Sequence, residues 1–388
     1  MLLPQERKSE NITISLDDQK EAISAIQSKT DPNSLRIKRF LGYKDLSRTP
    51  GSPLHEMIQR LEKIESLKNF DQIQVPEVVD AGVSFDLFNF PSDHPARSKS
   101  DTYYLDDTHI LRTHTTIMWY YYLLNEAVQK RVEANEPLGV LSYGKVYRKD
   151  EIDRNHMNIF HQTDGMYLKP RSEGEITEED LRGVLAEIAQ AIYGKDIKYR
   201  FNKDQFPYTD PSLEMEIDKN GQWIEVLGGG LVRPVVLKNI GLDPEQYTGW
   251  AFGFGLERLA IISMELPDIR LLWSQDERVI KQLHLGQKFV PVSKYPPIPR
   301  DISFIVEDSK FVLNDYYDMI RDVGGDLVEE VTLLDKYVNE EKFGKGKTSY
   351  TFRVIYRSND RTLEIKEIDP LQDKIYELTG SQFDAEVR

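Results

Sequence analysis

The sequence predicts an α+β protein with two parts: a larger part built on an antiparallel sheet flanked by helices, and a smaller part at the carboxyl end. Strand-like segments between residues 138 and 232 include one hairpin whose turn is Asn220-Gly221. Helices flank these strands without alternating with each of them, which favours antiparallel pairing over βαβ winding. A proline-rich stretch interrupts the pattern near 285–300, and a second series of strands and helices follows it.

The composition is that of an ordinary globular protein. Its 388 residues leave room for two or three domains, and 39% hydrophobic with 30% charged residues is typical of such chains. The absence of cysteine excludes disulfides, thiolate zinc sites and a cysteine nucleophile together. No run approaches the roughly 18 apolar residues of a membrane span, so we expect no membrane partner.

Charge and the amino-terminal sequence bear on partners and location. The net charge of −15 disfavours a generally nucleic-acid-binding surface, so contact with RNA would depend on local basic patches. The first forty residues lack the Arg- and Ser-rich, acid-poor composition of a transit peptide. We therefore expect a cytoplasmic protein, with the mitochondrial matrix after removal of a transit peptide as the alternative.

The elements of the larger part follow in order. Residues 1–50 are polar and contain turn signals, so we expect an N-terminal extension. QIQVPEVV predicts a strand with Pro76 at an edge or bend. The other segments predict a helix over 54–67, a helix over 116–132, strands over 138–149 and 163–168, a helix over 177–194 opened by a Thr177–Asp180 capping box, and the hairpin over 213–230.

The carboxyl-terminal pattern reads β-α-β-β-α-β, the order of ferredoxin-like domains. Its segments are DISFIV, NDYYDMIRDVG, VEEVTLLDKYV, KTSYTFRVIYRS, LEIKEIDPLQDKIYELTG and FDAEVR. We divide the chain into an extension (1–50), a main domain (51–284), a linker (285–296) and a C-terminal domain (297–388).

Four stretches concentrate polar residues that neither a core nor a plain surface requires. The first, at 94–116, ends with Arg112, His114 and Thr116 at alternate positions ahead of a helix, as substrate-facing groups do. It has no HxxH or HxxxH pair, so a solvated loop is a better alternative than a zinc site.

The second stretch, at 143–165, places Arg148 where a strand ends. A structural ion pair with Asp150 or Glu151 is the alternative to a functional role. An aromatic side chain that alternates with an amide and a carboxylate suits a site that stacks a flat ring and holds an ammonium group. The returning strand and the turn before it supply these groups: His156, Phe160, Gln162 and Asp164.

The third and fourth stretches are FPYTDPSLEMEI at 206–217 and GWAFGFGLERLA at 249–260. The latter lacks the third glycine of a dinucleotide fingerprint and the GK[ST] ending of a P-loop. Core packing and a helix–sheet contact are the alternatives for the two stretches. Arg148 and Arg258 on separate elements, with Glu225 between them and glycines that allow close approach, indicate a polyphosphate site.

In order along the chain, these stretches resemble the motifs of phenylalanyl-tRNA synthetases, which are class II aminoacyl-tRNA synthetases. Pro76 stands where the motif 1 proline stands, and KYPPIPRDISF with the terminal domain is similar to the family's ferredoxin-fold anticodon-binding domain. The resemblance covers about residues 52–388 and points to the single-chain organellar type. It is carried by HPAR, DTYYL, LRTHTT, GKVYRKDEIDRNH, FHQTDG, FPYTDPSLEMEI, WIEVLGGG and GWAFGFGLERLA.

The resemblance implies a monomeric ligase that uses ATP and Mg²⁺ to join L-phenylalanine to tRNA(Phe). Arg148 would hold the α-phosphate of ATP and Arg258 the γ-phosphate, with Phe160 stacking adenine against the Arg258 guanidinium. The remaining implied contacts are Glu151 and His156 for ATP, Glu225 for magnesium, and His114, Thr116, Gln162, Asp164, Phe206, Tyr208, Ala251 and Gly253 for the amino acid.

The chain departs from the family pattern at three pocket positions. Asp164 stands where the family usually has Glu, Trp119 where it often has Gln, and Tyr208 where Phe is frequent. Two alternatives therefore stay open: a ligase on the same scaffold that activates another aromatic amino acid, and a non-catalytic RNA-binding paralogue.

The C-terminal domain is acidic overall, with 14 Lys and Arg against 20 Asp and Glu in residues 292–388. Basic residues nevertheless cluster near aromatic ones, and such groups can bind phosphates and stack on unpaired bases. The alternative is a solvated strand face above core aromatics. The proposed tRNA contacts are Lys345, Lys347, Arg353, Arg357 and Arg361, beside Tyr350, Phe352 and Tyr356.

Overall fold

A computed structural model describes residues 7–151, 153–291 and 295–388. These residues form two units. The first contains the chain up to Tyr147 together with Ile159–Met264 and His284–Gln287, and the second contains Arg148–Asn158, Glu265–Leu283 and Lys288–Arg388. Residues 1–6 of the predicted extension, Ile152, and residues 292–294 of the predicted linker lie outside the described residues.

The first unit is built on an eight-stranded sheet in the order β1-β2-β5-β6-β10-β9-β8-β7, with β3 and β4 paired separately. The strands are β1 (Asn11–Thr13), β2 (Asp71–Gln74), β3 (Val78–Asp80), β4 (His109–Leu111), β5 (Leu138–Tyr147), β6 (Ile159–Pro170), β7 (Tyr199–Phe206), β8 (Thr209–Lys219), β9 (Gln222–Val232) and β10 (Tyr247–Gly255). All ten residues of β5 are buried, because helices and loops cover both faces of the sheet at its centre.

Helices of the first unit flank this sheet. They are α1 (Asp17–Gln27), α2 (Pro32–Leu41), α3 (Pro53–Leu61), α4 (Ala81–Phe85), α5 (Met118–Leu123), α6 (Glu126–Glu133), α7 (Glu178–Tyr193), α8 (Pro234–Asn239) and α9 (Leu256–Met264). The predicted α+β class is confirmed. The sheet is mixed, however, because β1–β2 and β2–β5 pair in parallel at one edge while the other pairs are antiparallel.

Local sequence signals explain where the elements differ from the prediction. The strand expected around Pro76 is two strands, β2 and β3, because proline cannot donate to a ladder. The helix expected over 116–132 is also two, since the Asn125 side chain accepts from Ala127 N at 3.0 Å and starts α6. The capping box of α7 and the Asn220-Gly221 turn, both residues with positive φ, are confirmed.

The second unit contains the predicted β-α-β-β-α-β order. Its elements are α10 (Glu277–Ile280), β11 (Ile298–Glu307), α11 (Leu313–Gly324), β12 (Val328–Val338), α12 (Glu340–Phe343), β13 (Lys347–Tyr356), α13 (Ile365–Phe383) and β14 (Glu386–Val387). The antiparallel sheet has the order β12-β13-β11-β14, and alternate residues of β13 are buried in the domain core. Of the helices that the structure describes in either unit, none is long and apolar enough to cross a membrane.

Candidate active site

The carboxylate of Asp164 is the centre of the predicted amino-acid site. It is 3% exposed on β6, and it accepts hydrogen bonds from the hydroxyls of Thr115 and Thr116, the latter at 2.7 Å. Gly253 lies directly opposite Asp164 in the pairing of β10 with β6. The structure therefore brings together three of the predicted residues, Thr116, Asp164 and Gly253.

Thr115 is a contact that the sequence analysis missed. The prediction treated 112–116 as alternating, so that Arg112, His114 and Thr116 would share one face. The segment is an irregular turn between β4 and α5, and two consecutive hydroxyls reach the same carboxylate. The signal in the sequence was the pair of adjacent threonines ahead of a helix.

The prediction for Arg112 is wrong. Its side chain is buried and donates to the backbone carbonyls of Lys145 at 2.8 Å and Val75 at 2.6 Å. Burial lowers the pKa of this guanidinium, and the negative charge of Glu77 raises it by a smaller amount. Arg112 therefore joins neighbouring segments of the fold and is not a substrate-facing group.

Aromatic rings form a continuous series next to Gly253: a Cβ placed on Gly228, the residue opposite Gly253 in the sheet, would lie 3.0 Å from the ring of Phe206. The rings of Phe206 and Tyr208 stack with their centroids 5.9 Å apart, and the rings of Tyr208 and Trp119 are nearly perpendicular, also with centroids 5.9 Å apart. Phe90, which is not among the predicted residues, adds two ring contacts. Its ring centroid lies 6.2 Å from that of Tyr208 and 5.8 Å from that of His114, on which it stacks. The predicted residues His114, Phe206 and Tyr208 thus belong to one aromatic cluster.

Two further predicted residues lie on the strands that carry Asp164 and Gly253. Ala251 is 2% exposed on β10. The Oε1 atom of Gln162 is buried and has no hydrogen-bond partner within the described part of the chain. A buried amide oxygen without a donor is costly, and a ligand ammonium group is a donor that would satisfy it.

Arg258 and Glu225 face each other at the other end of the predicted site. Arg258 Nη1 lies 3.5 Å from Glu225 Oε1, and each side chain is 52% exposed. The ring of Phe160 is close to the end of β10, since a Cβ placed on Gly255 would lie 3.9 Å from it. Burial raises the pKa of the nearby Tyr193, against the charge of Arg258, so this tyrosine stays a neutral hydroxyl.

Arg148, Glu151 and His156 belong to the second unit. The backbone N–H of Arg148 donates to Asn158 O at 3.0 Å, and His156 Nδ1 lies 2.8 Å from Asp153 Oδ1. The same loop is tied to α11: Lys149 Nζ lies 2.8 Å from Asp315, and the Asn158 amide donates to Asp318 at 2.9 Å.

The proposed tRNA contacts lie on or near β13, and three of them have acidic partners. Arg353 forms two hydrogen bonds of 2.7 Å with Asp301, and Arg361 pairs with Glu367. Arg357 donates to Glu329 at 2.9 Å. Lys345 is exposed and Lys347 is partly buried.

The aromatic side chains beside these cations are not available to bases. Tyr350 is 8% exposed, and Phe352 and Tyr356 are fully buried. They point to the helix-covered face of the sheet, because alternate residues of a strand face opposite sides. The expectation that they stack on unpaired bases is therefore wrong.

Comparison with known proteins identifies the family. The sequence model described as the class II core domain (F) of tRNA synthetases matches residues 40–283. The mitochondrial phenylalanine–tRNA ligase of Mus musculus is 37% identical over 341 residues, which are 78% of this chain and 72% of that protein. The chain belongs to the phenylalanine–tRNA ligase family.

Other family members support the same relationship. The chloroplastic/mitochondrial phenylalanine–tRNA ligase of Arabidopsis thaliana is 37% identical over 85% of this chain and 73% of its own length. The mitochondrial phenylalanine–tRNA ligase of Saccharomyces cerevisiae is 31% identical over 94% of both chains. The model of the ferredoxin-fold anticodon binding domain matches residues 293–388. This phenylalanine–tRNA ligase family member is an aminoacyl-tRNA synthetase with a class II core and a ferredoxin-fold domain.

Proposed function

We propose that this synthetase activates L-phenylalanine with ATP and transfers it to the terminal ribose of tRNA(Phe). The observation that carries the proposal is the buried carboxylate of Asp164, held by Thr115 and Thr116 beside the aromatic cluster. A fixed carboxylate next to apolar rings is complementary to an ammonium group and an aromatic side chain on one small molecule.

The amino-acid site combines polar and apolar groups. Asp164 and the Gln162 Oε1 atom bind the ammonium group, with His114 and Thr116 beside the polar end of the substrate. Phe206 and Tyr208 contact the substrate ring, and Ala251 and Gly253 form the floor beneath it. Two observations support these assignments: Ala251 is buried, and no described residue donates a hydrogen bond to Gln162 Oε1.

The ATP site uses two arginines. Arg148 binds the α-phosphate and Arg258 the γ-phosphate, because a guanidinium is always charged and matches phosphate oxygens. Phe160 stacks on the adenine, and Glu151 and His156 complete the site. The half-exposed side chain of Arg258, with one acidic neighbour at 3.5 Å, supports a role in binding a ligand.

These residues act by position and charge. One carboxylate oxygen of phenylalanine attacks the α-phosphorus of ATP, the bond to the β-phosphate breaks, and pyrophosphate leaves. The ribose hydroxyl of tRNA then attacks the carbonyl carbon of the adenylate, and AMP leaves. Arg148 and Arg258 stabilise the charge on the phosphates, and neither step needs a covalent intermediate on the enzyme.

Magnesium fits this site as an ion shared with the nucleotide. The described residues contain no group of three His, Asp or Glu side chains that could hold a metal by themselves. Mg²⁺ is commonly bound by one or two carboxylates together with substrate phosphates, and the exposed oxygens of Glu225 can supply one such ligand. The ion would neutralise phosphate charge when bound.

We divide the chain into an extension (1–50), a class II domain (51–284), a linker (285–296) and a C-terminal domain (297–388). We assign tRNA binding to the C-terminal domain. The proposed phosphate contacts are Lys345, Lys347, Arg353, Arg357 and Arg361. The match of residues 293–388 to an anticodon-binding domain supports this assignment. The mitochondrial and chloroplastic names of the relatives support an organellar location. The resemblance to the single-chain organellar type supports a monomer.

The test is the amino-acid-dependent exchange of pyrophosphate into ATP, measured with each of the twenty amino acids. We expect exchange with phenylalanine and much slower exchange with tyrosine and tryptophan. Preference for another aromatic amino acid would contradict the substrate, and tRNA binding without any exchange would indicate a non-catalytic paralogue.

A further inference from the structure

A buried histidine links β6 to α9, the two elements that carry Phe160 and Arg258 of the proposed ATP site. His161 is 0% exposed, and its Nδ1 lies 2.6 Å from Glu257 Oε1. Its Nε2 lies 2.9 Å from the backbone nitrogen of Leu46. Because a backbone N–H can only donate, Nε2 accepts and Nδ1 carries the proton that is donated to Glu257.

Glu257 depends on this histidine. Its side chain is buried, and Oε1 and Oε2 accept the backbone N–H of His161 at 2.9 Å and 2.8 Å in addition to the ring contact. Among the described residues, His161 supplies every hydrogen bond that this carboxylate receives. A buried carboxylate that loses such a donor has to move toward water or rearrange its helix.

His161 and Glu257 are each next in the chain to residues of the proposed ATP site. His161 lies between Phe160 and Gln162 on β6, and Glu257 directly precedes Arg258 in the first turn of α9. Side chains of a strand alternate between its faces, so His161 points away from the face that carries Phe160 and Gln162.

We infer that His161 and Glu257 are positioning residues for ATP, which hold the proposed adenine-stacking ring of Phe160 at a set distance from the Arg258 guanidinium. Neither residue touches the substrate in this arrangement. The inference rests on the proposed assignment of Phe160 and Arg258 to ATP.

Two amide variants separate this role from simple packing. His161→Asn places an amide N–H near the position of Nδ1 and keeps a donor for Glu257. His161→Gln places its amide near the position of Nε2, keeps a partner for Leu46 N, and leaves Glu257 without its ring donor. Both variants lose the imidazole ring, so the loss of packing is closely matched between them.

Pyrophosphate exchange should be measured for both variants as a function of ATP and of phenylalanine. A displacement of about 1 Å in a binding group can change rates by up to about 100-fold, so we expect His161→Gln to raise the KM for ATP about tenfold. Its KM for phenylalanine should stay within about twofold, and His161→Asn should return the KM for ATP to within about threefold of the parent.

Equal KM values for ATP in the two folded variants would overturn the inference, whether both match the parent or both are raised. If His161→Gln does not fold, Glu257→Asp shortens the carboxylate by one methylene and should raise the KM for ATP alone. An unchanged KM for ATP in folded Glu257→Asp would also overturn it. Arg258→Ala distinguishes a failure of this inference from a failure of the proposed ATP site. Normal exchange in that variant would contradict the ATP site itself.

Discussion

A methyl group added to Gly253 should damage the amino-acid site through Asp164. A Cβ placed on Gly253 would lie 2.9 Å from Asp164 Oδ1, 3.1 Å from Cγ and 3.2 Å from Oδ2. Ordinary van der Waals contacts are about 3.5–4.0 Å, so either the carboxylate or the β10 backbone has to move. Gly253→Ala therefore tests whether the position of this carboxylate determines phenylalanine binding.

The size of the effect follows from what holds Asp164. The hydroxyls of Thr115 and Thr116 both bind its carboxylate, which is 3% exposed, so it cannot shift without weakening at least one hydrogen bond. A displaced carboxylate would also lose its alignment with the substrate ammonium group that we assign to it, and a hydrogen bond between such charged groups contributes roughly 1.5–3 kcal/mol. At about 1.4 kcal/mol for each factor of ten, the KM for phenylalanine should rise about 10- to 100-fold.

Gly255→Ala is the matched control, because its Cβ would meet nothing nearer than 3.9 Å. We expect its KM for phenylalanine to stay within about threefold of the parent and its free energy of unfolding within about 1 kcal/mol. The assays are pyrophosphate exchange at varied phenylalanine and urea unfolding. If Gly253→Ala matched Gly255→Ala in both assays, the reasoning about Asp164 would be refuted.

Other substitutions test the remaining assignments. Arg258→Ala should lower the free energy of unfolding in urea by at most about 1 kcal/mol, because it removes one half-exposed ion pair, yet it should lower pyrophosphate exchange about 100-fold or more. Near-parent exchange in this variant would contradict the phosphate role of Arg258. By contrast, replacing the buried Arg112 with Ala should lower the free energy of unfolding by roughly 3 kcal/mol. Ala251→Gly should admit para-chloro-phenylalanine, since a snug apolar wall discriminates by only about 1–3 kcal/mol, and unchanged exchange with that analogue would place Ala251 outside the pocket. Lys345→Glu with Lys347→Glu should weaken aminoacylation of tRNA most strongly at low salt, where the parent gains most from phosphate contacts, and leave exchange unchanged, whereas parent-like charging at every salt concentration would exclude these lysines from the tRNA contact. Charge reversal is preferable to deleting the C-terminal domain. Lys149 and Asn158 bind α11, so the deletion would also remove partners of the loop that carries Arg148.

Much of the site could be predicted from sequence because its residues lie in short stretches with unusual composition. Thr116, Asp164 and Gly253 were all predicted, and the structure brings them together. Thr115 was missed because a strand-like alternation was assumed where the backbone turns. Phe90 was missed because a phenylalanine in a loop differs in no local respect from a core phenylalanine.

The charges of the C-terminal domain were harder to interpret. A basic residue in a sequence indicates a phosphate contact less strongly where an acid pairs with it in the fold, because the phosphate then competes with that acid. Arg353 and Asp301 are 52 positions apart in the chain, yet the register of β13 with β11 makes them neighbours. Register depends on the pairing of whole strands, and no pattern within β13 reveals it.

By itself, the sequence determined the α+β class, the β-α-β-β-α-β order of the C-terminal domain and the motifs that carry the family relationship. The class and the order of elements follow from periodicity, turn residues and composition, whereas the family relationship follows from the resemblance of short motifs. All of these are properties of neighbouring residues. Only the tertiary structure decided that Arg112 holds backbone segments together, that Tyr350, Phe352 and Tyr356 are core residues, and that His161 binds Glu257. The physical reason is that burial and hydrogen-bond partners are set by strand register and helix packing between residues far apart in the chain, such as His161 and Glu257, which are separated by 96 positions.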